Sequence, residues 1–196
     1  MNTTEHCLEP EEGLQLIADV ISRTREDMKG YSFLYLVWGW IISLSSLLFF
    51  VLHTYTTSPL YFLPFPALVS VGIVITVARH AAQRRATQTY LAFFLKNLWI
   101  VLGIGFIATV FVSSSLRSQP FSYTLLIGGI GTLVSGLSLR FRPLVAGGLL
   151  FFAFALASVF VSPDYRALLQ AVAVITGYLV PGYLLKHAKA KRATDL

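Results

Sequence analysis

The chain has 196 residues, of which 56 % are hydrophobic, 14 % aromatic and only 12 % charged, with a mean hydropathy of +0.71. Soluble globular proteins carry about 25 % charged residues; half that charge excludes an ordinary soluble domain and points to lipid as the solvent. The net charge of +6 would suit nucleic acid, but the basic residues sit at the ends of apolar runs, not in a patch or stripe, and no nucleic-acid partner is expected.

Residues 1–9 read as a disordered tail. It holds the single cysteine, Cys7, which has no partner for a disulfide within the chain and is expected to be an inert thiol. The first thirty residues lack a basic start, an apolar core and a small-residue cleavage site. No signal peptide is expected, so the first span directs insertion. Pro10, Glu11 and Glu12 make a helix start, with proline in the first turn and acids opposite the helix dipole. Leu14, Ile17, Ile21 and Met28 recur on one face. Gly30 is the expected stop, with Arg25 and Lys29 near the carbonyl end. A helix made to lie on anionic lipid is basic on its polar face; this one is acidic. It is therefore expected to dock on protein, either its own chain or a cytosolic partner, and residues 1–30 form a cytosolic tail and amphipathic helix.

Six apolar runs follow, each near the ~20 residues that a bilayer core requires: Tyr31–Leu52, Leu60–Ala78, Tyr90–Val112, Phe121–Leu139, Pro143–Val161 and Arg166–Leu185. The expected fold is an all-α polytopic membrane domain over 31–186, six transmembrane helices as three antiparallel hairpins, with a basic cytosolic tail at 187–196. Arg23, Arg25, Lys29, Arg79, Arg84, Arg85, Arg140, Arg142, Lys186, Lys189, Lys191 and Arg192 flank one side of these runs, and only Arg117 and Arg166 the other. Cytosolic loops carry the excess of lysine and arginine. Both termini are thus expected in the cytosol.

The fourth and fifth runs are rich in small residues. Gly128, Thr132 and Gly136 are four apart, as are Gly131 and Ser135, and Ala153 and Ala157. Such spacing lets helix backbones approach where lipid supplies no hydrophobic drive between them. Close packing within the chain is the first reading, and a homo-oligomer through these faces the second. The turn Arg140-Phe141-Arg142-Pro143 joins the two runs, with proline at a helix start. In the sixth run Pro181 removes the donor that the Gly177 carbonyl would use, so water, a side chain or a neighbouring helix must cover that oxygen. Pro64 and Pro66 act similarly at the outer end of the second run.

Lys96 is the single charge well inside an apolar run. It lies about six residues, or ~9 Å, from the cytosolic end of the third span. An ionisable group at that depth is a functional-site hypothesis when partners can be named. Trp38, Trp40, Trp99, Gly177 and Pro181 come to a similar layer, and Asn97 adjoins. Gly103 shares a stripe with Lys96; if Gly103 marks a close helix contact, Lys96 points into the bundle. The other placement has Lys96 snorkelling to the inner headgroups. The candidate ligand-binding set is therefore Lys96, Asn97, Trp99, Trp38, Trp40, Gly177 and Pro181.

Other chemistry is poorly supplied. Seven of the nine acids precede the first span, with Asp164 and Asp195 the exceptions, which leaves no intramembrane carboxylate for a proton relay or sodium site. His6, His53, His80 and His187 are not spaced as metal or haem ligands. The glycine-rich stretch 128–136 lies inside an apolar run, not between strand and helix, and is no phosphate loop. Serines 43, 45, 113 and 135 have no matching histidine or aspartate. No catalytic residue, metal or cofactor is expected.

The acidic N-terminal helix, WGW at 38–40, RFRPLVAGG at 140–148 and GYLVPGYLLK at 177–186 together resemble a family of small bacterial six-helix inner-membrane proteins with no assigned activity. The resemblance spans essentially the whole chain. It implies six helices and a bacterial cytoplasmic membrane, and transfers no catalytic residue. The expected function is non-enzymatic: interaction, sensing or regulation through the cytosolic N-terminal helix. The alternative is a small transporter or channel for an anionic or neutral solute, with Lys96 in its pathway.

Overall fold

The computed structural model describes residues 10–56, 60–82 and 90–186, with side-chain detail outside 10–31 and His80. The expectations for the tail 1–9 with Cys7, for Arg84 and Arg85, and for the basic segment 187–196 lie outside the described residues, as does the apolar face at Leu14–Met28. Among the described residues all regular structure is helical.

The first helix, α1, runs unbroken over Pro10–Tyr55, 46 residues or ~69 Å. This corrects the expected stop at Gly30. A glycine in a helix interior costs only about 1 kcal/mol, and propagation is cooperative once the neighbouring turns exist. With no proline after Gly30 and a long apolar helix beginning beside it, the helix continues.

Helix α2 spans Pro64–Ala82. Leu60–Leu63 form a turn before it, with the Leu63 N–H on the Leu60 carbonyl at 3.0 Å. Pro64, which has no N–H to donate, sits at the first helical position, where none is needed. Helix α3 is Tyr90–Ser115 and α4 is Phe121–Ser138. Helix α5, Arg142–Ala157, has 16 residues, ~24 Å, and ends short of the expected Val161. Helix α6, Pro163–Val174, passes into a π-helical turn at Ile175–Leu179 and then into helix again over 180–186. Four stretches are long and apolar enough to cross a membrane: Ser32–Tyr55, Tyr90–Ser115, Phe121–Ser138 and Pro163–Lys186. Pro64–Arg79 and Arg142–Ala157 are apolar but shorter.

Packing is densest between α4 and α5, then between α1 and α6. A Cβ at Gly148 would come 2.6 Å from the Leu133 backbone nitrogen, and one at Gly136 would come 2.6 Å from that of Val145. Only glycine permits that approach. The small residues of the fourth and fifth runs are thus largely spent within the chain: Gly129, Gly131, Thr132, Ser135 and Gly136 are buried, whereas Ala153 and Ala157 face outward. Arg140 takes the left-handed conformation (φ 50°) at the end of α4, and the Phe141 N–H closes the turn on the Gly136 carbonyl at 2.9 Å. Helices α2 and α3, though consecutive, pack on different partners, α2 on α1 and α3 on α4.

Two apolar clusters fill the interior. One, near the ends that carry Arg79, Arg140 and Lys186, holds Tyr35, Leu144, Phe151, Tyr178 and Leu185, with Trp38 and Trp99 against it. The other, at the opposite ends, holds Phe49, Phe121 and Ala167, with Phe50 and Phe65 against it. Between them the Thr124 hydroxyl donates to Gln170 Oε1 at 2.8 Å, joining α4 to α6 in a buried pair.

Candidate functional site

Where a layer around Lys96 was expected, the structure gathers a set of aromatic rings. Tyr35 of α1 and Tyr178 of the π turn lie with ring centroids 4.7 Å apart. Trp99 of α3 meets Tyr35 and Tyr178 edge-on, each at 6.1 Å. Phe151 of α5 meets Tyr178 at 6.3 Å. Edge-to-face contacts at these separations are the favoured geometry of aromatic quadrupoles. The indole N–H of Trp99 donates to Ser135 Oγ at 3.2 Å, so its polar atom is satisfied inside the bundle. Trp38 packs at the margin and donates to Thr76 Oγ1 at 3.1 Å. That hydroxyl donates in turn to the Gly72 carbonyl at 2.8 Å.

The π turn places Tyr178 here. In it the Val180 N–H bonds the Ile175 carbonyl, five residues back, just before Pro181 interrupts the ladder. The Gly177 carbonyl oxygen rests on Gly147 of α5, where any Cβ would overlap it. A Cβ at Gly177 would in turn sit 2.9 Å from the Gly147 carbonyl oxygen, and Pro181 Cγ also closes on Gly147. The oxygen freed by Pro181 is therefore covered by a neighbouring helix backbone, in the manner of a Cα–H···O contact.

Lys96 and Asn97 take no part. Both are exposed, and nothing lies within 4 Å of where a Cβ of Gly103 would be. The condition for an inward Lys96 thus fails. Helix α3 packs instead through Leu95, Trp99 and Leu102, a stripe of which Leu95 is fully buried and Leu102 and Trp99 wedge onto Gly131. Lys96 is one residue, about 100°, off that stripe. Trp40 is 57 % exposed and donates to the Tyr183 hydroxyl at 3.2 Å on the outer surface. Of the seven predicted residues, Trp99 and Trp38 pack against the cluster that holds Tyr35 and Tyr178, and Gly177 and Pro181 against Gly147; Lys96, Asn97 and Trp40 stand outside.

Sequence reasoning missed Tyr35, Tyr178, Phe151, Ser135 and Gly147. With 9 tyrosines and 15 phenylalanines in the chain, no single ring stands out. The RFRPLVAGG stretch did carry the Gly147 signal, but not its partner. At the same end the Arg79 guanidinium lies 3.8 Å over the Phe33 ring, a cation–π contact.

A cleft of about 360 Å³ lies at the opposite end, between α1 and α2, lined by Leu48, Leu52, Tyr61, Leu63, Pro64 and Ala67 among others. Its walls are mainly apolar, with Thr56 and Tyr61 the residues that carry a hydroxyl. The chain matches no family model, no curated protein and no solved structure.

Proposed function

We propose that this is a non-enzymatic, multi-pass protein of a bacterial cytoplasmic membrane that works by interaction, sensing or regulation through its N-terminal helix. In this reading it crosses the membrane six times, as three antiparallel hairpins, with the basic ends of its helices and both termini in the cytosol. The observation that carries the reading is the continuity of α1. One helix of 46 residues holds both the amino-terminal segment and Tyr35, and Tyr35 sits against Tyr178 and Trp99 in the core. In this reading a partner that moves the amino-terminal turns acts on that core through one continuous helix. The transport alternative loses support, because the Gly177 carbonyl is covered by Gly147 and Lys96 lies outside the layer.

Reporter fusions at Leu196 and between Thr54 and Ser58 are expected to read cytosolic and external, respectively. In proteoliposomes, flux of chloride, phosphate and glycerol is expected to stay at the level of protein-free vesicles for wild type and Lys96→Met alike. A wild-type flux that Lys96→Met abolishes overturns the reading in favour of a transporter.

A further inference from the structure

Among the four helices long enough to span, α3 has the smallest buried share, 6 % of its apolar window. Its bare face has a pattern. Phe93, Asn97, Ile100, Ile104, Ile107 and Phe111 follow at alternating spacings of four and three, and all are exposed. The five apolar members keep between 50 % and 73 % of their surface free. That alternation is the spacing of a coiled-coil seam, in which each such residue fits between four of the facing helix.

Asn97 identifies what covers the seam. It lies seven residues, ~10 Å, along α3 from Tyr90, within the hydrocarbon if α3 spans. Lys96 beside it has a stem long enough to reach the headgroups; the short asparagine side chain does not. Its amide carries two donors and an acceptor, and lipid tails match neither. A second copy in the same membrane orientation brings an identical amide to the same depth. Two amides facing across a two-fold axis along the membrane normal satisfy each other reciprocally, N–H of one to C=O of the other. A lone asparagine in an otherwise apolar seam also fixes its register. Gly103, flanking the seam with nothing near it, leaves room for the second backbone. The glycines of α4 and α5, the other candidates for such a face, are occupied within the chain.

We propose that the chain forms a parallel homodimer along α3, held in register by a reciprocal Asn97–Asn97 amide pair. This rests on the membrane placement above, not on the choice between interaction and transport.

The test uses the full chain in lipid vesicles. Resistance to carbonate extraction, scored in the same samples, reports separately on the membrane placement. In a Cys7→Ser background, Ile104→Cys is expected to form disulfide-linked dimers under mild oxidation, while Val74→Cys, 67 % exposed on α2, does not. With dyes on the native Cys7, energy transfer between copies measures the association. Asn97→Leu, which removes the amide without loss of bulk, is expected to weaken it about three- to twentyfold, and Asn97→Gln to restore most of it. Cross-linking no greater at Ile104→Cys than at Val74→Cys overturns the proposal. So does an Asn97→Leu chain that associates as wild type does.

Discussion

Helices α3 and α4 touch each other, yet within one chain the first is left almost bare and the second is nearly half buried. The window in α3 is the more apolar, but 6 % of it is buried against 44 % for Phe121–Ser138. In water the greasier helix would be the inner one. In lipid, hydrocarbon tails satisfy an apolar side chain as well as a neighbouring helix does, and association depends on how closely backbones approach. Helix α4 meets α5 through glycines at backbone distance, whereas α3 reaches α4 with the ends of Leu102 and Trp99. Between these two helices burial follows how closely the backbones approach, not hydropathy.

The comparison breaks most visibly at Gly147. Gly147→Ala drives a methyl group into the Gly177 carbonyl and is expected to cost about 2–3 kcal/mol through overpacking against backbone that cannot turn aside. Thermal unfolding in detergent reads this directly, and a wild-type midpoint would show that the helices separate without penalty. A smaller effect sharpens the α3 side. Ser135→Ala takes the acceptor from the Trp99 indole and is expected to cost about 1 kcal/mol, with a change in tryptophan emission. Smallest of all, Lys96→Met on the outer face is expected to shift stability by less than about 0.5 kcal/mol. A loss of several degrees there would mean that Lys96 holds the bundle together after all.

The helical class and the rough position of each apolar run were legible because a bilayer demands runs of that length. So was the contact of α4 with α5, from glycines four apart, and the disturbance at Pro181. The direction of Lys96 was not. Apolar residues cover both the packed and the bare side of α3, so hydropathy alone does not tell which side meets protein, and Gly103 is as compatible with an open surface as with a contact. The contact stripe, Leu95–Trp99–Leu102, differs from its neighbours only in what stands opposite it. Continuity through Gly30 was hidden for another reason: a local stop signal of about 1 kcal/mol competes with the cooperativity of a long helix, which no window of a few residues displays.

The π turn at Ile175–Leu179 has a consequence of angle. Successive residues of an α-helix are rotated by about 100°, so one residue gained or lost swings everything beyond it by more than a quarter turn. The stretch 163–186 keeps two appointments with different neighbours, Gln170 with Thr124 of α4 and Gly177 with Gly147 of α5. A turn that bonds five residues back holds one residue more than an α-turn, and so lets the two halves of the rod face directions that a uniform helix would not reconcile. Substitution of Ile175, exposed in the turn, leaves both alignments intact, while removal of a single residue would force the chain to give one of them up.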